Sequence, residues 1–581
     1  MSQSIPTPAV ATIDCLIAPV HLTGAIQPHG YLVSCGLSDQ RIRHVSANIE
    51  HLFGMEPDEL VGLGINHFFD EDVLQQIRDA VAAAAPGDDS AQRVGTGNVG
   101  AMMVLCDISA HAAHGLLHIE FEPQSNRVDQ RSPTQIAQRM VGQLGSEDIG
   151  PTFFHQVAVQ VQELTGYDRV MVYRFRADDS GEVVAEVAAE GMEPYLGLRY
   201  PASDIPPPAR RLYLRNRVRV IPDARYEAVG IVPPVDATGT AVDLSQHVLR
   251  SVSPVHLEYL RNMGVAASAS ISIISGGRLW GLIACHHRES RRLSANTRSA
   301  ADLFGMFVSV RIAAREQELT MQRFERTQEL RDSVLIRLAA ASEFDAALLA
   351  ELDTMREVLD CDGAGLAING HWDVVGRAPR GTDPAALVAW ADAQGVDVAV
   401  SDAAADWNDA TLDAPGLAGL LAINLGTPGA WAFVFRVEQV EEVEWAGDPH
   451  SGMVVTDDGM RLAPRRSFAT WRQQVKGRSR EWSIADRRGA DRLHRMLRDQ
   501  RRRSRGAESG IAQAVGQPGG QLVRDQKTRL DGVSELLDGL GHLDSADTAG
   551  ISLRIERLES ELRRLMRRPR SEPAEVPVDP K

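Results

Sequence analysis

The sequence has few cysteines, few aromatic residues and no long apolar run. Only five cysteines occur in 581 residues, at positions 15, 35, 106, 285 and 361, without a Cys-x-x-Cys pair. This spacing argues against a disulfide framework and a zinc site and is typical of a reduced, cytoplasmic protein. No apolar run reaches the roughly 18 residues that a membrane span needs. The N-terminus also lacks the basic-then-apolar plan of a signal peptide, so we expect no membrane association.

An excess of positive charge is missing as well. The chain has 61 Lys and Arg against 78 Asp and Glu, which gives a net charge of −17 at pH 7. Phosphate contacts need clustered cations, so direct nucleic-acid binding is not expected. The stretch from Arg487 to Arg505 is rich in arginine, but acids are interleaved and no aromatic residue is available to stack on bases. We interpret it as a solvated helix face.

Length and hydropathy patterns predict an α+β protein with several domains. At roughly 100–200 residues per domain, 581 residues suggest three or four. Alternating apolar residues predict strands, and one helix is predicted over 70–84. The predicted strands are 30–35, 116–121, 168–175, 268–274 and 278–286. The residues alone indicate a unit over 1–125, a second α+β unit after it, a third from about 342 to 500, and a linker and helical segment over 506–581.

Two helical segments have patterns typical of pairing. Residues 300–340 have no proline and carry apolar residues at helical spacing, from Leu303 to Leu338. A helix of this length is either a coiled-coil seam or a spine between domains. Near-heptad apolar residues also run from Ile551 to Leu565. That segment is too short to be a stable helix alone, so we predict that it pairs with a second copy in a parallel homodimer.

Four motifs carry the functional signal. Three of them place Arg, His or Asp beside strand-like or turn-like sequence, as a pocket with a few convergent polar groups requires. The motifs are 14–30, 199–206 followed by Arg210, 249–257, and 279–287. In this order they resemble the chromophore-binding region of bacterial phytochromes. The resemblance implies three consecutive antiparallel-sheet domains, a PAS domain over 1–125, a GAF domain over 126–315 and a PHY domain over 316–505, joined by a long helical spine.

The resemblance also implies a pigment, biliverdin IXα, a linear tetrapyrrole. In the family, a cysteine of the N-terminal segment forms a thioether to the pigment, and Cys15 matches it. Plant and cyanobacterial relatives attach their bilin through a cysteine directly before the pocket histidine, where this chain has Val255. Ile26, Gln27 and Pro28 match a segment that threads a GAF loop in a figure-of-eight knot. General topology rules would not predict such a knot.

The same resemblance assigns roles to the pocket residues. Arg219 and Arg250 would clamp the two propionates, because a planar guanidinium binds a carboxylate in a bidentate manner. His256 would lie by the central pyrroles and His286 by the carbonyl of the rotating ring, with the backbone carbonyl of Asp204 near the pyrrole nitrogens. The remaining predicted pigment-binding residues are Ser253, Ser268 and Ser270 at the propionates, and Met171, Tyr173, Tyr200, Ile205, Pro206, Tyr213 and Tyr259 in the lining. Taken singly, each arginine is better explained by a surface ion pair and each histidine by a satisfied core position.

A tongue is implied in the third domain. Trp445 to Pro449 and Pro464 to Phe468 resemble the PHY domain and its tongue, which we predict over about 451–482. In the family, the tongue arginine pairs with the GAF aspartate, here Arg465 with Asp204. Ser467 and Trp482 are predicted to belong to the same switch, which changes between hairpin and helix.

No enzyme signature is visible after residue 505. His542 is the only histidine there and lacks the neighbours of a kinase phosphoacceptor, so we predict that the chain is not an enzyme. The predicted function is a red/far-red photoreceptor that switches by bilin isomerisation and signals through its C-terminal helix to an unidentified partner. The alternatives are a light-independent small-molecule sensor built from the same domains and a degenerate histidine kinase.

Overall fold

The structure, a computed structural model, describes residues 20–515 except 70, 84–90, 101, 125–131, 146–147, 342, 380–382, 409–411, 413, 450–452, 457–458 and 463–467. Cys15, Arg465, Ser467 and the predicted helix at 551–565 lie outside the described residues. The chain divides into two compact units. The first unit is Met1–Arg326 with Val440–Lys476, and the second is Thr327–Gln439 with Gly477–Lys581. None of the described helices is both long and apolar enough to cross a membrane.

The strands of the described residues match the predicted α+β pattern. In chain order they are β1 (Ala25–Ile26), β2 (Tyr31–Gly36), β3 (Ile42–Ser46), β4 (Gln92–Val99), β5 (Val104–Ala113), β6 (Leu116–Pro123), β7 (Arg169–Phe175), β8 (Gly181–Ala188), β9 (Arg199–Tyr200), β10 (Val218–Ile221), β11 (Val229–Val232), β12 (Ala267–Ser275), β13 (Arg278–His287), β14 (Gly363–Ile368), β15 (His371–Gly376), β16 (Val398–Ser401), β17 (Leu417–Asn424), β18 (Trp431–Val437), β19 (Glu441–Ala446), β20 (Met453–Thr456), β21 (Gly459–Leu462) and β22 (Thr470–Val475). The five strands predicted from hydropathy are confirmed as β2, β6, β7, β12 and β13.

The helices connect and cover these strands. They are α1 (Glu50–Phe53), α2 (Pro57–Leu60), α3 (Glu71–Ala82), α4 (Pro133–Gln143), α5 (Pro151–Thr165), α6 (Pro207–Arg215), α7 (Pro254–Asn262), α8 (Ala295–Ala340), α9 (Phe344–Ala350), α10 (Leu352–Val358), α11 (Ala385–Ala393) and α12 (Ile484–Val515), with short 3-10 turns at Ile65–His67, Ala202–Asp204 and Ala404–Asp406. Proline begins α2, α4, α5, α6 and α7, because its missing N–H is not needed in the first turn and its fixed φ suits the helix. Helix α12 continues through Val515, so the linker that we predicted from residue 506 begins too early.

Two large sheets form the first unit. One has the order β1-β11-β3-β2-β6-β5-β4, and α1, α2 and α3 supply core residues to one of its faces. The other has the order β10-β12-β13-β7-β8-β9-β19-β22. Neighbouring strands are antiparallel, apart from the single parallel pair between Trp445 of β19 and Arg199 of β9. The sheet therefore extends from the GAF-like strands to β22 without a break.

The eight-stranded sheet has two different faces. On one face, alternate residues such as Ile271, Ile283 and Val172 pack against α5 and α8 in an apolar core. Gly305 of α8 is required there, because a Cβ at this position would lie 2.5 Å from Cγ2 of Ile271. The helix can therefore lie close to the sheet only where it lacks a side chain. The opposite face carries the candidate site.

The second unit contains the sheet β15-β14-β18-β17-β16. Both of its faces are covered, since one packs against residues of α9, α10 and α12 and the other against α11 and Trp407. Strand β14 is accordingly buried along its whole length. Helix α8 supplies Phe304 to the core of the first unit and Val334 and Leu338 to that of the second, so the helix predicted over 300–340 is confirmed.

Matched substitutions on α8 test its packing. Val308 is 0% exposed and Val310 is 67% exposed. We expect Val308→Ala to lower the free energy of unfolding by about 2 kcal/mol, because two buried methyl groups are lost and a small cavity is left. Val310→Ala should change it by less than about 0.5 kcal/mol. Urea unfolding followed by circular dichroism measures both, and equal shifts for the two variants would contradict the assigned helix face.

Candidate functional site

Strand register places the predicted residues on one face of the eight-stranded sheet. Residues paired across antiparallel strands point to the same side, and their chain neighbours point to the other. The relevant pairs are Arg219 with Ser270, Ser268 with His286, Ala284 with Met171, and Leu282 with Tyr173. The residues between them, such as Ala269 and Val172, face the apolar core. One set of strand residues therefore faces the candidate site, while the other packs the sheet against α5 and α8.

Two buried arginines dominate the charge of this face. Arg219 and Arg250 are 6% and 7% exposed. Nη1 of Arg219 donates to the carbonyl oxygen of Val248 at 2.9 Å, and its Nη2 donates to that of Arg250. Nη1 of Arg250 donates to the carbonyl oxygen of Val20 at 3.1 Å. In the part of the chain that the structure describes, neither guanidinium forms an ion pair with a carboxylate.

The burial of these cations is unfavourable without an anion. Burial, followed by the nearby charge of Arg219, lowers the pKa of Arg250 to about 9. Burial also lowers the pKa of Arg219. Backbone carbonyls offset only part of the cost of removing a charge from water. The site is therefore suited to a ligand with two anionic groups.

Two histidines complete the polar face as neutral groups. His286, on β13, has its Nδ1 buried without a hydrogen-bond partner among the described residues. Burial, followed by the charge of Arg169, lowers its pKa to about 3. His256, on α7, has its pKa lowered to about 4 by burial and then by Arg219 and Arg250. Both imidazoles can thus offer hydrogen bonds near neutral pH without adding charge.

Asp204 ends a short 3-10 turn and contacts α7. The hydroxyl of Tyr259 donates to its Oδ2 at 3.0 Å. The Tyr259 ring stacks on His256 with centroids 6.1 Å apart and meets Phe468 edge-on at 5.2 Å. Phe468 lies two residues before β22, which pairs with β19. The described part of the predicted tongue therefore reaches Asp204 through an aromatic contact.

An aromatic and apolar cluster borders the polar face. Tyr173 and Tyr200 lie 5.8 Å apart in an edge-to-face arrangement, and Tyr195 lies 6.4 Å from Tyr200. The cluster also contains Met171, Ile205, Tyr213 and Ala446. Pro206 stands at the N-cap of α6, and Ser253 at that of α7. The structure thus brings Met171, Ile205, Tyr213 and the two tyrosines together, with Pro206 and Ser253 at adjoining helix starts.

Trp482 lies elsewhere. It belongs to the second unit, where its Nε1 donates to the carbonyl oxygen of Ser401 at 2.9 Å and Arg436 lies over its ring at 3.8 Å. The tongue that we predicted to end at 482 is therefore too long. The strand pair of the first unit ends at Val475, and the ring of Trp482 packs in the core of the second unit.

The N-terminal segment is held against the loop that carries Arg250. Strand β1 pairs with β11, and Ile26 bridges Arg250. The backbone N–H of Gln27 donates to the carbonyl oxygen of Leu249 at 2.7 Å, and its Nε2 donates to that of Val220 at 3.1 Å. The contact of this segment with the GAF-like loop is thus present. The knot itself stays a prediction, because residues 1–19 lie outside the described part.

Sequence reasoning missed Glu120, which fixes the same loop. Its carboxylate accepts the backbone N–H groups of Val248 and Leu249 at 3.0 and 2.7 Å. Burial raises the pKa of Glu120 to about 7 in spite of these bonds. The available signal was a glutamate within the apolar strand 116–121, a position where an unpaired charge is rarely tolerated.

Comparison with known proteins identifies the class. Family models match in the order PAS fold (residues 15–124), GAF domain (151–312) and Phytochrome region (327–505). These modules define a sensory protein built from three consecutive domains. The solved structure of the Stigmatella aurantiaca phytochrome photosensory core module is 32% identical, with a TM-score of 0.69, and the match covers 84% of this chain and 98% of that chain.

Curated relatives narrow the class to a family. A bacteriophytochrome of Xanthomonas campestris is 33% identical, with 81% of this chain and 75% of the relative covered. A bacteriophytochrome of Pseudomonas aeruginosa is 35% identical over 82% of this chain, and the match spans 65% of the relative's length. The chain belongs to the bacterial phytochromes.

The depressed histidine pKa values predict a pH-dependent stability. The pKa of His256 is about 4 when folded and near 6.5 when unfolded, so the unfolded chain binds more protons between these values. The stability of the pigment-free protein should therefore fall as the pH decreases through this window. His256→Gln should reduce the loss between pH 7.5 and pH 5 by about 2 kcal/mol.

Urea midpoints measured at both pH values give the difference. The exposed histidine of α5 provides the control, since His155→Gln removes an imidazole that lies outside the site. An unchanged pH dependence in His256→Gln would show that folding does not lower the pKa of this imidazole.

Proposed function

We propose that this chain is a red/far-red photoreceptor that holds biliverdin IXα in the face bounded by Arg219, Arg250, His256 and His286. The observation that carries the proposal is the burial of two guanidinium groups that have no carboxylate partner among the described residues. Membership of the phytochrome family implies a bilin chromophore, and it does not favour the light-independent sensor.

The donor set fits a linear tetrapyrrole. Such a molecule has two propionates, a row of pyrrole nitrogens and apolar ring faces. Arg219 and Arg250 would bind the propionates, assisted by the hydroxyls of Ser268 and Ser270, because each guanidinium keeps a buried Nε without a partner in the described part. The aromatic cluster around Tyr173 and Tyr200 would enclose an apolar ring.

When bound, a bilin supplies rotation of one ring about a double bond on absorbing light. The residues of the chain would convert such a change into a different hydrogen-bond pattern. His286 presents a neutral imidazole, and the Tyr259 hydroxyl already donates to Asp204. In this proposal the carboxylate of Asp204 exchanges partners between Tyr259 and Arg465, and the tongue refolds in response. The states before and after illumination then differ in the hydrogen bonds and ion pair of Asp204, and a shift between two populations requires such a difference in contacts.

The proposed output signal passes through helical segments. We propose that α8 and the C-terminal segment transmit the change to an unidentified partner, and that the protein acts as a parallel homodimer without kinase activity. Helix α8 supports transmission because its residues belong to the cores of both units. Incorporation of phosphate from ATP by the purified protein would favour the degenerate kinase instead.

Substitution of Cys15 tests pigment attachment. The protein produced together with a haem oxygenase should be green, and its red absorption should change reversibly on illumination. Cys15→Ser should abolish covalent attachment, because the thiols that the structure describes in this unit, Cys35, Cys106 and Cys285, are buried. Pigment fluorescence of the denatured protein on a gel measures attachment.

The control is Cys35→Ser, which removes a buried thiol of the same unit and should retain the pigment. A colourless wild-type protein would refute the photoreceptor, whereas covalent pigment in Cys15→Ser would refute only the attachment site.

A double-mutant cycle tests the proposed switch. Asp204→Asn and Arg465→Gln should each reduce the light-induced absorbance change several-fold, because each removes one partner of the proposed ion pair. The double variant should be no worse than either single one, since partners in one interaction are not additive. Asp58→Asn, an exposed carboxylate of α2, is the control. Strictly additive losses would show that Asp204 and Arg465 act independently.

A further inference from the structure

Three buried histidines converge outside the proposed pigment face. His111 lies on β5, His118 on β6 and His247 in the loop before Arg250. Each can offer one ring nitrogen such that the three atoms lie within 4.8 Å of one another. The three imidazoles are among the most buried polar groups of the first unit, with 2%, 1% and 0% exposure.

Sheet register explains how the first two rings meet. His111 and His118 are directly paired across β5 and β6, so their side chains leave the sheet on the same side. His118 is in turn paired with Ser34 of β2, whose hydroxyl is hydrogen-bonded to Nδ1 of His118 at 2.7 Å. The loop residue His247 covers the pair, with ring centroids 4.5 and 4.6 Å from those of His111 and His118.

The cluster is incompletely satisfied as it stands. Both ring nitrogens of His111 and both of His247 are buried without a hydrogen-bond partner among the described residues. A buried polar group without a partner costs about 1–3 kcal/mol. Burial lowers the pKa of His111 to about 4 and that of His118 to about 3, so the rings are neutral near pH 7. A neutral imidazole is the form that binds a metal ion.

We propose that His111, His118 and His247 form a binding site for a first-row transition-metal ion of the Zn²⁺ type. Imidazole is a preferred ligand of Zn²⁺, Cu²⁺ and Ni²⁺, and three histidines leave a fourth position for water. The hydroxyl of Ser34 can accept the Nδ1–H of His118, which leaves Nε2 free for the ion and orients the ring as metal-bound histidines are commonly held. This site is independent of the proposed pigment function.

Small movements would complete the coordination. Tetrahedral ligands at a Zn–N distance of about 2.0–2.1 Å are separated by about 3.3 Å, so nitrogens that lie within 4.8 Å of one another must approach by up to about 1.5 Å. Asp243 favours positive charge at His111, whereas Arg250 opposes it at His247. The ring of His247 is on a loop, which makes it the ligand best able to move.

Metal binding would fasten the loop to the seven-stranded sheet. The backbone of this loop already contacts Glu120 through Val248 and Leu249 and accepts a hydrogen bond from Arg219 at Val248. Arg250 follows His247 by three residues. A bound ion would therefore restrict the segment that positions one of the two buried guanidiniums.

Zn²⁺ titration of the pigment-free full-length protein tests the site. Pigment is omitted because the nitrogens of a bilin could bind zinc themselves. After removal of metal with a chelator, competition with a chromophoric zinc indicator should show one high-affinity ion per chain. Excess Zn²⁺ should raise the melting temperature by a few degrees, because an ion that binds only the folded state stabilises it.

Variants assign the ion to the cluster. His111→Gln and His247→Gln should each weaken Zn²⁺ binding at least tenfold and abolish the thermal shift. His114→Gln, at an exposed histidine of the same hairpin, should retain both. Circular dichroism verifies that each variant is folded. Ser34→Ala removes only the hydroxyl that is hydrogen-bonded to His118, so it should weaken Zn²⁺ binding less than the loss of a ligand does.

Two results would overturn the proposal. One is a wild-type protein that binds no more Zn²⁺ than His247→Gln. The other is a wild-type affinity that exceeds that of both cluster variants by less than twofold. The cluster would then be a polar core in which water satisfies the ring nitrogens.

Discussion

The burial of two like charges beside each other constrains the whole first unit. Arg219 and Arg250 are brought together by β10 and by the loop after His247, and their partners in the described residues are backbone carbonyls. Such an arrangement persists only if the surrounding chain is fixed. The carboxylate of Glu120 accepts hydrogen bonds from the backbone of that loop. The backbone N–H of Gln27, in the N-terminal segment, donates to the carbonyl oxygen of Leu249 in the same loop. The N-terminal segment, the first sheet and the loop are therefore parts of one support for the two cations.

The eight-stranded sheet divides two tasks between its faces. Large apolar residues face α5 and α8 and supply the packing energy, whereas serines, alanine and histidine on the other face leave room and polar groups for a ligand. The same sheet continues through β9 to β19 and β22. A change at the polar face and a change in the tongue are thus connected through strand pairing and through the contact of Tyr259 with Phe468.

Particular residues show how far sequence patterns lead. Strands β2, β6, β7, β12 and β13 could be predicted because each has a local alternation of apolar residues. Helix α8 could be predicted because its spacing is regular over many turns. Arg219, Arg250, His256 and His286 were found through motif resemblance. Register then placed Arg219 and His286 on one sheet face, whereas Arg250 lies on a loop and His256 on α7. By contrast, the prediction that Trp482 belongs to the tongue is wrong. Its position in the sequence near the tongue motif does not show in which core its ring packs.

The histidine cluster shows the opposite case. His111 and His118 each lie three residues from the turn that joins their strands. Nothing in that hairpin indicates His247, which comes from a loop far along the chain. Glu120 is similar, since its partners are backbone groups that the sequence does not reveal.

The amino-acid sequence alone determined the order of the domains, the strands and long helix within them, and the residue types available for a pigment, because these depend on local periodicity and on motifs contiguous in the chain. Only the tertiary structure decided which of those groups are buried, which remain without partners and which distant segments meet. Burial and pairing arise from contacts between residues far apart in the chain, and the free energy of a charge or an imidazole depends on those contacts rather than on its neighbours in sequence.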